Sequence, residues 1–203
     1  MSEAVNTPSK NEIRSARTRE RVLTAAISCI YEVGLQNTST VDVTKRAGIS
    51  RGAMLHHYPS KEDLLCAAYE SLLTQEAGKL RDAAGGYTNR DLTLEEFIDH
   101  LWSRFSVRSF SITLDYIAAA RTNAGLMKRV RQARKQYDEA LEEIWEQFFA
   151  GGNLSERETK TQLKLTISLF RGMSLQLMMH RDRSELDEMV NEWKTHLKAI
   201  LAR

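Results

Sequence analysis

The stretch Ser50-Arg51-Gly52-Ala53-Met54-Leu55-His56-His57 sets one guanidinium, two residues with little or no side chain and two imidazoles within two helical turns. An arginine in such a place presents a planar fork of donors that pairs bidentately with a guanine edge in the major groove. Gly52 and Ala53 remove bulk, so that the backbone of a short helix can come close to a partner, and Leu55 or His56 shares that face while Met54 and His57 or Tyr58 pack behind it. Lys61, just inside the next helix, adds charge to the exposed amides of a helix start, a combination that holds phosphate. This is recognition chemistry rather than turnover. No GxSxG, HExxH or phosphate-loop pattern occurs, which argues against an enzyme. His56 and His57 point about 100° apart on a helix, with no carboxylate or thiol at i+3 or i+4 to complete a metal site. His100, His180 and His196 are dispersed, so neither a metal nor a cofactor is expected.

The elements that must position these residues can be read on both sides. Val22, Ala26, Ile30 and Val33, with Leu23 and Ile27 beside them, recur at helical spacing from about Ser15, and Gly34 ends that helix. Residues 1 to about 12 are polar and aperiodic, and are expected to form a disordered arm. Ser39 or Thr40 caps a second helix whose Val41, Val43 and Ala47 face a core while Asp42, Lys45 and Arg46 face out. Gly48 permits the sharp turn before Ser50, which caps the third helix. The first sixty residues hold Lys10, Arg14, Arg17, Arg19, Arg21, Lys45, Arg46 and Arg51 against Glu3, Glu12, Glu20, Glu32 and Asp42. That segment therefore carries +3, leaving −1 for the rest of a chain whose net charge is +2. The asymmetry suits a polyanion partner.

The remainder reads as helix throughout. Ser39-x-x-Asp42, Ser60-x-x-Asp63, Thr93-x-x-Glu96, Ser155-x-x-Glu158 and Ser184-x-x-Asp187 each place a hydroxyl and a carboxylate as a helix start requires, and each precedes an amphipathic run. The two prolines, Pro8 and Pro59, fall outside these runs. Phe110 to Tyr116 alternates with period two, but Phe110, Leu114, Ile117 and Arg121 also share a helical face, so helix is predicted there as well. Breaks at Gly85-Gly86 with Asn89 and at Gly151-Gly152-Asn153 separate a long helix (60 to about 83), a middle group (93–150) and a final pair (155–181 and 185–202). The expected fold is all-α, about nine helices, with a DNA-binding helix-turn-helix domain at 12–60 and a larger helical domain at 61–203. The chain's 203 residues, 42% hydrophobic and 28% charged, suffice for such a core. There is no membrane-length apolar run and no apolar signal segment at the N-terminus, so a cytoplasmic location is expected, and Cys29 and Cys66 read as reduced packing residues.

Thr40 to Leu65 resembles the DNA-binding segment of the tetracycline-repressor (TetR) family of bacterial regulators. The likeness lies in the Thr before the second helix, the Ala47-Gly48-Ile49-Ser50 turn, Arg51-Gly52, the aromatic and His run before Pro59, and Ser60-Lys61-Glu62 opening the fourth helix. It covers residues 15–65 closely and the rest only in length and helical layout. The resemblance implies a homodimer joined through its last two helices, a ligand cavity in the larger domain, and release of a double-stranded DNA operator when a small-molecule effector binds. It also implies DNA contacts from Ser39, Thr40, Lys45, Ser50, Arg51, Gly52, Ala53, Leu55, His56 and Lys61. Where the family usually has a Leu-Tyr pair late in the recognition helix, this chain has Met54-Leu55 and then His56-His57, so His56 is the expected substitute for the Tyr contact.

Candidates for the effector pocket are aromatic and Met residues interleaved with polar ones: His100, Trp102, Arg104, Phe105, Tyr116, Arg121, Met127, Phe148, Phe170, Met173 and Gln176. Arg104 or Arg121 can pair with an anionic effector. For dimerisation, the candidates are Leu163, Ile167, Phe170, Ser174, Leu177, Met189, Trp193 and Leu197, on two amphipathic helices that suit a second copy. Two other functions fit the same residues less well: a helix-turn-helix DNA binder without an effector, and a helical homodimeric interaction module that does not use DNA.

Overall fold

A computed structural model describes residues 9–86, 93–105, 107–149, 154–179 and 182–201. Among them the chain forms nine helices and no strand: α1 (Lys10–Val33), α2 (Thr40–Ala47), α3 (Arg51–His57), α4 (Lys61–Gly86), α5 (Leu94–Arg104), α6 (Val107–Ala120), α7 (Ala124–Phe149), α8 (Glu156–Met179) and α9 (Ser184–Leu201). The expected all-α fold holds, and the period-two stretch from Phe110 to Tyr116 is helical because it buries Ile112 and Tyr116 on one side of α6. The chain divides into two compact units, Met1–Ser71 and Leu72–Arg203, and the division falls inside α4 rather than at its start.

Helix starts follow the hydroxyl-carboxylate pattern at four of the five expected places. Ser39 Oγ accepts from the Asp42 amide (3.1 Å), Ser60 Oγ from Asp63 (3.0 Å), Thr93 Oγ1 from Glu96 (3.3 Å) and Ser155 Oγ from Glu158 (3.3 Å). The fifth is a correction. Ser184 lies inside α9, where its amide and hydroxyl both donate to Asp182, and Asp187 is taken instead by the Trp102 indole (2.9 Å) and Arg183. A sixth cap stands at Ser9. Ser9 and Glu12 form a reciprocal box, with Ser9 N to Glu12 Oε2 at 2.7 Å, so α1 starts at Lys10, earlier than the apolar periodicity indicates. Two further departures concern the apolar pattern: Val41 and Val33 are 62% and 49% exposed, because the core of the first unit is closed by other residues.

That core consists of Val22, Ala26 and Ile30 of α1, Val43 and Ala47 of α2, Met54 of α3, Tyr58, and Leu64 of α4, all nearly or fully buried. α2 packs on α1 and on α3. Gly48 has φ 62°, the left-handed conformation, and its amide donates to Lys45 O, so the chain reverses in two residues between α2 and the Ser50 cap.

In the second unit α5 packs on α9, α7 on α6 and α8, and α8 also on α6 and α9. Phe97, Trp102, Trp145, Phe170 and Met173 fill the centre, with the Trp102 and Phe170 rings 5.3 Å apart and Phe105 and Phe170 5.5 Å apart. The three indoles each find an acceptor: Trp102 on Asp187, Trp145 on Thr159 O (3.0 Å) and Trp193 on Thr166 Oγ1 (2.9 Å). Lys194 and Lys198 of α9 pair with Asp99 and Glu95 of α5. Cys29 and Cys66 are buried and not joined in a disulfide.

Candidate nucleic-acid interface and internal cavity

The turn that aims α3 is held from α1. Arg21 Nη2 donates to Ala47 O (2.5 Å) and Gly48 O (3.3 Å), satisfying two carbonyls at the end of α2. Arg46 makes a two-pronged pair with Glu32 (2.7 and 2.5 Å), fixing α2 to α1 by a second route. Ser50 Oγ accepts from the Ala53 amide (3.2 Å) and starts α3 with Arg51 as its first residue. Met54 is fully buried and anchors the helix from behind, leaving Arg51, Gly52, Leu55 and His56 exposed on the other side.

Gly52 differs in kind from Gly48. A Cβ at Gly48 would lie 3.0 Å from Arg21 Nη2 at a positive φ, so glycine is required by the fold. At Gly52 the φ is not positive and a Cβ would meet nothing within 4 Å. Nothing inside the first unit calls for a glycine there.

A groove of about 820 Å³ runs between α1 and α3, lined by Lys10, Arg14, Arg17 and Arg21 on one side and Ser50, Ala53, His56 and His57 on the other. Lys10, Arg14, Arg17 and Arg21 follow one another by three or four residues, so one face of α1 carries four cations. Lys10, Arg14 and Arg17 are readable as a charge surplus in the sequence, but their place beside the recognition helix is not. The spacing and the Ser9-x-x-Glu12 cap that carries α1 out to Lys10 are the signals that could have found them. The imidazoles of His56 and His57 stand edge to face, 5.3 Å apart. Burial, then His56 and Arg19, hold the His57 imidazole below its ordinary range.

Of the remaining sequence candidates, Ser39 is occupied as the α2 cap and Thr40 is the first residue of that helix, half-buried. Lys45 is exposed on α2. Lys61 donates to Gln36 O (3.2 Å), so its ammonium ties α4 to the turn after α1 and has two other donors left.

The second unit holds a separate cavity of about 350 Å³, open to solvent on one side. Its lining comes from α4 (Leu72, Leu73, Glu76), the end of α5 (Arg104, Phe105), α6 (Phe110, Thr113, Leu114, Ile117), α7 (Arg134, Tyr137) and α8 (Arg171, Gly172, Leu175). Of the pocket residues chosen from sequence, Arg104 and Phe105 line it. Trp102, Tyr116, Phe170 and Met173 do not; they are core, between 0% and 4% exposed. His100 and Met127 are half-buried outside the lining, and Arg121 and Gln176 are exposed. The Phe148 side chain lies outside the described part. The difference has one cause: aromatic and Met density marks the most apolar region, and that region packs solid, whereas the cavity sits where α6 stands beside arginines of α5, α7 and α8. Glu76, Arg134, Tyr137 and Arg171 also line it, although in sequence they read as ordinary outward positions.

The α8 and α9 residues expected at a dimer surface lie mostly inside the second unit. Leu163, Ile167, Phe170, Ser174 and Leu197 are buried in the protomer's own core, and Ser174 Oγ donates to Phe170 O (2.8 Å) and Phe105 O (3.3 Å). Leu177 and Trp193 are half-buried against that core, and Met189 is exposed. The strongest amphipathic stripe turned inward because it had a core to close. The outward apolar row on α8 is Leu165, Leu175 and Met179, spaced with the small residues Ser168 and Gly172 between them.

Among the described residues no helix is long and apolar enough to cross a membrane, and no group of three or more His, Cys, Asp or Glu side chains is arranged to hold a metal.

Comparison with known proteins agrees with this geometry. The model of the bacterial regulatory proteins of the tetR family matches residues 22–68, from the buried part of α1 to the first turns of α4. The HTH-type transcriptional regulator CymR of Pseudomonas putida is 26% identical over 178 residues, 88% of either chain. A transcriptional regulator from Rhodococcus sp. Rha1 superposes with a TM-score of 0.71 at 18% identity, covering 88% of this chain and 94% of that one. FadR of Bacillus subtilis, solved in complex with stearoyl-CoA, does so with a TM-score of 0.65 at 16% identity, covering 87% and 95%. The capped α2-turn-α3 unit and the helices flanking it, residues 22–68, thus match the tetR family of bacterial regulatory proteins, and the chain is similar to helix-turn-helix regulators of transcription in sequence and in fold.

Proposed function

We propose that the chain is a one-component repressor that binds a near-palindromic operator as a homodimer and leaves it when a small molecule enters the cavity of the second unit. The observation that carries the DNA reading is the outer face of α3, where Arg51 is exposed beside a glycine that the fold does not need. A helix interior disfavours glycine by roughly 0.5–1 kcal/mol, so its presence at a site with open space points to a partner that comes close. In this reading Arg51 contacts a guanine, and Ala53, Leu55 and His56 share the face. Ser39, Thr40, Ser50, Lys45 and the remaining donors of Lys61 meet phosphates, joined by Lys10, Arg14 and Arg17 from the flanking groove. The outward row Leu165, Ser168, Gly172, Leu175 and Met179 suits a second copy, since small residues let two helices approach.

Fluorescence anisotropy on the DNA upstream of its own gene tests the reading. The native chain binds with steep salt dependence, and Arg51→Ala loses about tenfold or more in affinity, the worth of one bidentate base contact. Absence of binding at low salt would sink the DNA function. Operator affinity that does not respond to any ligand seated in the cavity would leave a DNA binder without an effector.

A further inference from the structure

The cavity of the second unit has a charge surplus that its apolar walls do not suggest. Arg104, Arg134 and Arg171 line it, against one acidic lining residue, Glu76. Asp138, just outside, pairs with Arg134 (2.6 Å) and approaches Arg171 (3.9 Å), and Glu76 divides its oxygens between Arg104 (3.3 Å) and Lys79 (3.0 Å). In the lining itself three guanidinium groups therefore stand against one carboxylate. The Arg104 side chain is only 22% exposed, and its Nε is buried without a hydrogen-bond partner among the described residues. A buried charged donor without an acceptor is costly, and an acceptor brought by a ligand removes that cost. Tyr137 adds a hydroxyl that keeps its proton, because burial, then the negative charge of Glu76, pushes the phenol up to about 12.

We infer that the cavity takes a small apolar monocarboxylate, its carboxylate on Arg104 and its hydrocarbon body among Phe105, Phe110, Leu114 and Ile117. A cationic ligand would face three arginines. A neutral one would fill the apolar part and leave the Arg104 Nε without an acceptor. The volume, about 350 Å³, is near the small end of the roughly 300–1,000 Å³ of ligand pockets, which suits one compact acid. Glu76 is then a built-in competitor, since its carboxylate occupies part of the same guanidinium. This inference rests on the proposed effector site and names what that site recognises.

The probes are octanoate and 3-phenylpropanoate, each against its primary amide, with octylamine as the cationic control, titrated calorimetrically into the full-length protein without DNA. Both acids are expected to bind at least about tenfold more tightly than their amides, the worth of a charge-assisted hydrogen bond in a partly buried site, and octylamine is expected not to bind. Arg104→Gln lowers acid affinity by about tenfold and leaves amide affinity unchanged, whereas a merely structural role would weaken both alike. Should Arg104→Gln fail to fold, Glu76→Gln decides, because removing the competitor raises acid affinity and leaves the amide unaffected. Acids that bind no better than amides, acids that do not bind at all, or tightest binding by octylamine would each overturn the inference. A parallel anisotropy measurement on the upstream DNA separates the two readings. An acid that binds without releasing DNA upholds the pocket chemistry and removes effector release, while release by the amide or the amine alone does the reverse.

Discussion

Replacing Gly52 by Ala sets folding and binding against each other. Its built Cβ meets nothing within 4 Å and its backbone φ is not in the positive range, so alanine fits the free protein without strain. The gain is the difference in helix propensity and unfolded-chain entropy, about 0.5 kcal/mol, the low end of the usual range because Gly52 lies in the first turn of α3. For a chain of 203 residues, where 1 kcal/mol moves the melting temperature by about 2–4 °C, the expected rise is about 1–2 °C. On DNA the sign reverses. The same methyl group stands on the exposed face beside Arg51, so it must displace the partner or tilt α3, loosening neighbouring contacts by about 1 kcal/mol or more, roughly fivefold in affinity. Scanning calorimetry of the free protein and anisotropy with labelled upstream DNA measure the two effects on one preparation. A melting temperature that falls would mean that the fold itself needs the glycine. A melting temperature that rises with DNA affinity unchanged would mean that α3 does not dock by this face.

Arg21→Ala removes both donors to the Ala47 and Gly48 carbonyls and is expected to lower stability by about 1.5 kcal/mol in urea unfolding, with less than about 0.5 kcal/mol refuting the pinning role. Arg14→Gln combined with Arg17→Gln leaves the unfolding curve in place, and reduces the slope of log affinity against log salt concentration by about 1–2, at roughly 0.9 per phosphate contact; an unchanged slope would remove the α1 groove from the interface. His57 and His100 are both held below their ordinary value of 6.5 chiefly by burial, so the unfolded chain takes up protons that the folded chain refuses. Stability is therefore full above that pH and declines as pH falls through it, and His57→Gln with His100→Gln flattens the decline in thermal melts between pH 7 and 5.

The local devices of the fold are legible in sequence because they involve neighbours. Ser39 with Asp42, Ser60 with Asp63, Thr93 with Glu96 and Ser155 with Glu158 lie three residues apart and form as their types require. Gly48 is legible for the same reason. Asp187 shows where such reading stops: it stands correctly spaced from Ser184, but the Trp102 indole, 85 residues away in the chain, holds its carboxylate. The cavity follows the same rule. Its arginines come from α5, α7 and α8, and no periodicity within one helix shows that Arg104, Arg134 and Arg171 converge. Hydrophobic density marks where the chain packs, and a pocket is where packing is left incomplete, so the aromatic residues Trp102, Tyr116 and Phe170 indicate its neighbourhood and not its walls.

The basic N-terminal segment illustrates how the same charge divides between structure and recognition. A count of cations treats Arg21, Arg46 and Arg51 as equals, yet each guanidinium is defined by the acceptors within its reach. Arg21 reaches two helix-end carbonyls, Arg46 reaches both oxygens of Glu32, and Lys61 reaches Gln36 O. Lys10, Arg14, Arg17, Lys45 and Arg51 make no ion pair among the described residues. The first group fixes the angle between α1, α2 and the turn that aims α3. The second is left with solvent and counterions, which are the groups that a phosphate backbone replaces. Neutralising a member of the first group should therefore change stability and affinity together, whereas neutralising a member of the second changes affinity and its salt dependence alone. That separation assigns each cation its role without a structure of the complex.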